Sequence, residues 1–284
     1  MKTKHLILTG ILAVSLAGVI ITGCKKESTA DTDATAAQDD ANATFAIQDT
    51  KNSADGAAKG QATERPDHSY TCATWTWDSS ATTDTLIISY PGTCVSPDGR
   101  TRKGDIIVYW PRGEGYFTNG SVITMTFKNY SFTNLGGTVI SVTGTRSLTN
   151  TGKDSLGDYS WNFNANLTLN YSTGGSATWN SSRTNTLMQS GNFYYYSITG
   201  SASGTSKSGV GYTITISSPL IYAANWINYA LYKTLPCYCI EAGQLTYTRT
   251  GKTYPLYLTY TSGLGKCNNT ASATINGNTY NIYL

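Results

Sequence analysis

The stretch DYSWNFNANLTLNY, Asp158 to Tyr171, alternates without a break, with Tyr159, Trp161, Phe163, Ala165, Leu167, Leu169 and Tyr171 separated by Ser, Asn and Thr. A period of two puts the first set on one face of a β-strand and the polar set on the other. A strand this long with one wet face predicts an antiparallel sheet covered on one side only. The same period recurs in Ile123, Met125 and Phe127 and in Tyr212, Ile214 and Ile216. Near the C-terminus, Asn276-Gly277 between two alternating runs predicts a type I′ hairpin. A two-residue loop there pairs Ile275 with Asn278, Ala273 with Tyr280 and Ala271 with Ile282.

Outward from these strands, all 21 Tyr and all 6 Trp lie at Tyr70 or later, among many Thr, Ser, Asn and Gly residues. These are residues of strands and turns, so residues 66 to 284 are expected to form a single all-β domain. Its predicted architecture is a twisted antiparallel meander: a curved open sheet, a sandwich or an incomplete barrel. Leu220, Ala223, Ala224, Ile227 and Leu231 have helical spacing between Pro219 and Pro236, which predicts one short helix near 220 to 232.

The N-terminus has a different character. Lys2 and Lys4 precede an apolar run from Leu6 to Ile21, then Thr22, Gly23 and Cys24. That order is a secretory signal, too short for a lasting membrane span. Ile21-Thr22-Gly23-Cys24 resembles the lipobox of bacterial lipoproteins, which predicts cleavage of residues 1 to 23 and acylation of Cys24 with diacylglyceryl and palmitate-type chains. Such chains hold a soluble domain at a bilayer. Lys25 stands where an Asp would resemble an inner-membrane retention signal, so the expected address is the outer membrane, at its periplasmic face or the cell surface. Residues 24 to 65 are rich in Ala, Asp, Thr, Gln and Lys, with Phe45 and Ile47 as the large apolar side chains. Without an apolar stripe, this stretch reads as a flexible tether with an r.m.s. span of about 35 Å.

Five cysteines remain beyond Cys24, in a chain addressed to an oxidising compartment. The expected disulfides are Cys72 with Cys94 and Cys237 with Cys267. Cys237 and Cys239 point to one strand face but stand too far apart to bond comfortably, which leaves Cys239 over. A metal site from Cys237, Cys239, Cys267 and His68 lacks paired C-x-x-C spacing, and none is predicted.

Few motifs carry chemistry. His68 is the one histidine left after signal cleavage, too few for HExxH or a convincing Ser/His/Asp triad. Gly251-Lys252-Thr253 ends like a phosphate-binding loop, but the earlier glycine position holds Thr246. No catalytic residue, cofactor or nucleic-acid site is therefore predicted. Asp78, Asp84, Asp98, Asp105, Glu114, Asp154, Asp158 and Glu241 are available for a paired-carboxylate hydrolase, although their linear positions specify no pair. Arg100, Arg102 and Lys103 beside Asp98-Gly99 read as solvated side chains flanking a turn. The aromatic faces Trp75 with Trp77 and Tyr194 with Tyr196 are candidate ligand contacts for a glycan or an envelope protein.

Two segments together carry a resemblance: Tyr90-Pro-Gly-Thr-Cys94 running into Pro97-Asp-Gly-Arg-Thr-Arg-Lys-Gly-Asp105, and Gly265-Lys-Cys267-Asn-Asn269 running into Ala273-Thr-Ile-Asn-Gly277. The combination resembles uncharacterised lipoproteins of Bacteroidetes-type bacteria over most of residues 70 to 284, apart from the stretch 222 to 236. The resemblance implies the anchor and the β fold, favours Cys237 over Cys239 as the bonded cysteine, and brings no activity with it. The expected function is a non-catalytic binding or structural module of the envelope, with a lipid-anchored, glycosidase-like hydrolase as the alternative.

Overall fold

The computed structural model describes residues 30–60, 72–96, 98–153, 157–191, 193–224, 240–249, 256–261, 270–275 and 278–283. Expectations for the signal peptide, Cys24, His68, Cys237, Cys239, Cys267, Asp154 and Gly251-Lys252-Thr253 fall outside these residues. So do those for the hairpin residues Asn276 and Gly277, the side chain of Cys94, and residues 225–239.

Among the described residues one helix is followed by thirteen strands: α1 (Ala30–Gly60), β1 (Thr74–Ser79), β2 (Thr83–Val95), β3 (Thr101–Pro111), β4 (Val122–Thr133), β5 (Val139–Lys153), β6 (Tyr159–Tyr171), β7 (Ser176–Ser190), β8 (Phe193–Thr205), β9 (Gly211–Ala223), β10 (Ile240–Arg249), β11 (Leu256–Thr261), β12 (Thr270–Ile275) and β13 (Asn278–Tyr283). The strands form one antiparallel sheet in sequence order, with β1 and β13 as its margins. Of the predicted all-β architectures, the curved open sheet is the one formed.

The decisive stretch behaves as its period requires. In β6, Trp161, Phe163, Ala165, Leu167, Leu169 and Tyr171 are buried, while Asn162, Asn164, Asn166 and Asn170 are exposed. The C-terminal pairing is as read from the sequence: Ala271 faces Ile282, Ala273 faces Tyr280 and Ile275 faces Asn278. The helix predicted near 220 to 232 is corrected at its first residues, and the remainder lies outside the described residues. Leu220 to Ala223 extend β9, where Leu220 pairs with Ile198 of β8 and Tyr222 pairs with both Tyr196 and Ile240. Their local spacing yields to two flanking ladders, and Pro219, which has no N–H to give, sits where the register with β10 shifts between Ala242 and Gln244.

The tether is corrected too. Ala30–Gly60 is a 31-residue helix, about 46 Å long at 1.5 Å per residue, and the sheet curls around it. From Ala36 to Ala57 only Gln38, Ser53 and Gly56 are as much as half-buried, and the rest are buried. The folded body therefore begins at the helix rather than at residue 66. Ala37, Ala41, Phe45, Ile47 and Ala54 join the inward residues of the strands, among them Leu86, Val108, Met125, Leu167, Trp179, Ile198 and Ala273, in a single core. Alanines keep the helix thin enough to be surrounded. An apolar stripe is missing because burial is all round, and many of the enclosed polar groups are met by polar groups of the sheet.

Curling needs local kinks, and the register shifts supply them. β4 carries an extra residue between Thr126 and Ser131 relative to β5, and the shift between β8 and β9 falls between Ile198 and Ser201. Gly144 and Gly200 sit beside these bulges at φ +116°, a conformation that suits glycine. A Cβ on Gly144 would lie 2.1 Å from the backbone oxygen of Asn166 in the paired strand. Gly144→Ala is therefore expected to cost on the order of 3 kcal/mol or more in chemical denaturation. An unchanged midpoint would show that the strand does not need this kink.

Candidate functional site

A helix with so many acids can be enclosed only where the sheet meets its charges. α1 buries Asp39, Asp40, Asp49, Asp55 and Lys51, and inward-pointing positions in or next to β3, β5 and β7 bring Arg100, Arg102, Arg146 and Arg183. The interior so formed has three centres.

At the first, the Arg102 guanidinium grips Asp49 bidentately, Nε to Oδ2 at 2.8 Å and Nη2 to Oδ1 at 2.9 Å, and also donates to Asp98 at 2.6 and 3.1 Å. Tyr130 adds its hydroxyl to Asp49, and Arg100 lies over the ring of Phe45, 4.1 Å from its centre. Burial pushes the Asp98 carboxyl up, but the charges of Arg102 and Arg100 outweigh it and hold the group below its ordinary range.

At the second, Arg183 donates to Thr44 at 3.0 Å and to Asp40 at 3.5 Å, while the Trp179 indole N–H donates to Asp40 at 2.7 Å. Here burial wins over the facing cation, and the Asp40 carboxyl is raised. Asn185 donates to Gln48 one turn along the helix.

At the third, Asp55 accepts from Lys51, from Tyr196 and from Tyr116. The Lys51 ammonium sits 4.3 Å from the Trp161 ring centre and 4.2 Å from that of Tyr196, and burial lowers its pKa. Beside it Arg146, 1% exposed, donates from Nη1 to the Ile47 carbonyl at 2.7 Å. Its Nε and Nη2 find no partner among the described residues, and burial pushes its pKa down to about 10. Asp55 is already occupied, which leaves Arg146 a buried guanidinium without a carboxylate of its own among the described residues.

The residues singled out from the sequence are distributed differently from expectation. Arg100 and Arg102 are buried, at 1% and 4% exposure, because each is aimed at the helix; Lys103 on the opposite face is exposed as expected. Trp75, Trp77 and Tyr194 are half-buried and packed on the core, with Trp77 edge-on to Trp110 at 5.4 Å. Tyr196 is corrected: it is 0% exposed and belongs to the Asp55 centre, not to an open face. Cys72 is held in a disulfide. The acid that converges with Asp98 is Asp49 of the helix, through Arg102. The signal in the sequence for a polar partner inside the sheet is the run Ser181, Arg183 and Asn185 at inward positions of β7, where an apolar face was due.

No family model, no curated protein and no solved structure matches the chain.

The centres make opposite predictions for like substitutions. Arg102→Met strands two buried carboxylates and is expected to cost on the order of 3 to 5 kcal/mol. Arg146→Met removes a buried charge that lacks a counter-ion and is expected to raise stability by about 1 to 2 kcal/mol. Guanidinium melts of the two variants compare them directly, and a loss in both would mean that Arg146 is compensated.

Acid provides a separate check. Because the folded-state pKa of Asp98 is depressed, its stabilisation is full above the unfolded value near 3.8 and is lost as pH falls through the folded value. Asp98→Asn should therefore cost stability at pH 7, on the order of 1 to 3 kcal/mol, and the gap to the parent should close in strong acid. A gap independent of pH would exclude the ion pair as its source.

Proposed function

We propose that the chain is an envelope lipoprotein, cleaved after Gly23 and acylated at Cys24, whose β body serves at the outer membrane as a non-catalytic binding or structural module. The observation that carries the reading is the order Lys2, Lys4, the apolar run, and Ile21-Thr22-Gly23-Cys24. The convex face of the sheet supports it: β6 turns Asn162, Asn164 and Asn166 outward, the reverse of the apolar band that a lipid-embedded barrel presents. The body is thus suited to water and needs a lipid to stay at a membrane. Two disulfides, Cys72 with Cys94 and Cys237 with Cys267, belong to the same proposal and fit an oxidising compartment.

The interior supports a non-catalytic role. A paired-carboxylate hydrolase needs one acid free to protonate a leaving group and a cleft for substrate between the two. Asp49 and Asp98 do converge, but both hold the Arg102 guanidinium with side chains no more than 4% exposed. Recognition would instead draw on the half-buried Trp75, Trp77 and Tyr194, for a glycan or an envelope protein.

Metabolic labelling with palmitate tests the anchor: the parent chain is expected to take up label and Cys24→Ser to lose it. Label retained in that variant would refute acylation at Cys24. Glycan arrays and envelope pull-downs with the mature chain test recognition. Saturable binding lost in Trp75→Ala would favour a binding module, and absence of binding in both would leave the structural role.

A further inference from the structure

The anchor and the helix together fix which end of the body meets the bilayer. On the reading that Cys24 carries the lipid, only residues 25 to 29 separate it from α1, about 20 Å of chain at full stretch. The N-terminal part of α1 lies at one rim of the curled sheet: Ala36 accepts from Tyr247 near the end of β10, and Asp39 accepts from the Lys207 N–H in the turn between β8 and β9.

That rim can be followed from turn to turn. Val95 ends β2, and the turn Ser96 to Arg100 brings Gly99 within 3.8 Å of Leu135 in the next turn, measured from a Cβ built on the glycine. Val139 then exchanges hydrogen bonds with Ser172, its carbonyl accepting from the Ser172 N–H and its own N–H donating to the Ser172 hydroxyl. Gly175, in the same turn as Ser172, abuts Lys207. Along this arc Val95, Leu135 and Val139 are exposed at 64%, 37% and 40%. Lys103 and Lys207 are exposed beside them, while Asp98 is spent on Arg100 and Arg102. Lys207 lies over the Tyr171 ring, 4.6 Å from its centre, with its ammonium at the surface. Apolar side chains flanked by exposed lysines are the composition that settles into the headgroup layer of an anionic bilayer.

We propose that this rim, the turns from Val95 to Lys207 on the side of the sheet from which α1 enters, is a membrane-contacting surface whose partner is an anionic lipid headgroup layer. Val95, Leu135 and Val139 enter the interface, and Lys103 and Lys207 meet the phosphates. The opposite rim also exposes apolar side chains, Phe117, Val122 and Tyr159, so it is the position of the anchor that selects between the two, and that rim faces away from the bilayer.

The test is amide hydrogen exchange of the full mature chain, acylated and reconstituted in nanodiscs of phosphatidylethanolamine and phosphatidylglycerol, against the unacylated Cys24→Ser chain. Amides of 134–138, 172–175 and 206–209 are expected to exchange roughly threefold or more slowly on the nanodisc, with 112–121 unchanged. The double variant Leu135→Asp, Val139→Asp should keep its acyl mass and lose the protection. Acylated protein with an unprotected rim, or with equal protection at both rims, would overturn this proposal alone. Absence of acyl mass on Cys24 would overturn the anchor and this proposal together.

Discussion

Everything in this molecule depends on enclosing a charged helix. Taking a carboxylate from water into an apolar interior costs several kcal/mol even after relaxation, and α1 takes in four. The sheet meets that cost with inward guanidiniums and with phenol and indole donors from Tyr130, Tyr196 and Trp179, joined by Tyr116 of the β3–β4 connection. Pairing is tight at Arg102, looser at Arg183 and incomplete at Arg146. The direction in which each group's proton affinity moves follows that order: Asp98 is held down by two arginines, whereas Asp40 rises with a single cation 3.5 Å away.

The strands were legible because their alternation is a local property. β6 and the β12–β13 hairpin follow from period and turn chemistry, and the register read from Asn276-Gly277 is the register formed. The helix was not legible for the same reason. Its sequence lacks a stripe because no face of it is left to water, and the partners that justify burying Asp40, Asp49 and Asp55 lie from roughly 50 to more than 140 residues away. Composition alone described a solvated tether. The inward Arg146 and Arg183 were visible as polar residues on an apolar face, but only the fold says what they point at.

The candidate site was legible in its parts and not in its arrangement. Arg100 and Arg102 stand out in the sequence beside an Asp-Gly turn, where solvated side chains are the ordinary outcome. Their alternation with Thr101 and Lys103 instead turns both inward at the start of β3. Tyr196 shares a face with Tyr194 as its spacing requires, and curvature decides that this face is the closed one.

The sheet ends at β1 and β13, yet α1 touches β2 on one side and β12 and β13 on the other. Ser53 bonds to the Tyr90 hydroxyl of β2, and Asn52 donates to the Ala223 carbonyl of β9. In a closed barrel the last ladder of backbone hydrogen bonds holds the curvature. Here the helix takes that office, like a rod around which a sheet is rolled, and the curvature lasts only as long as the rod is in place.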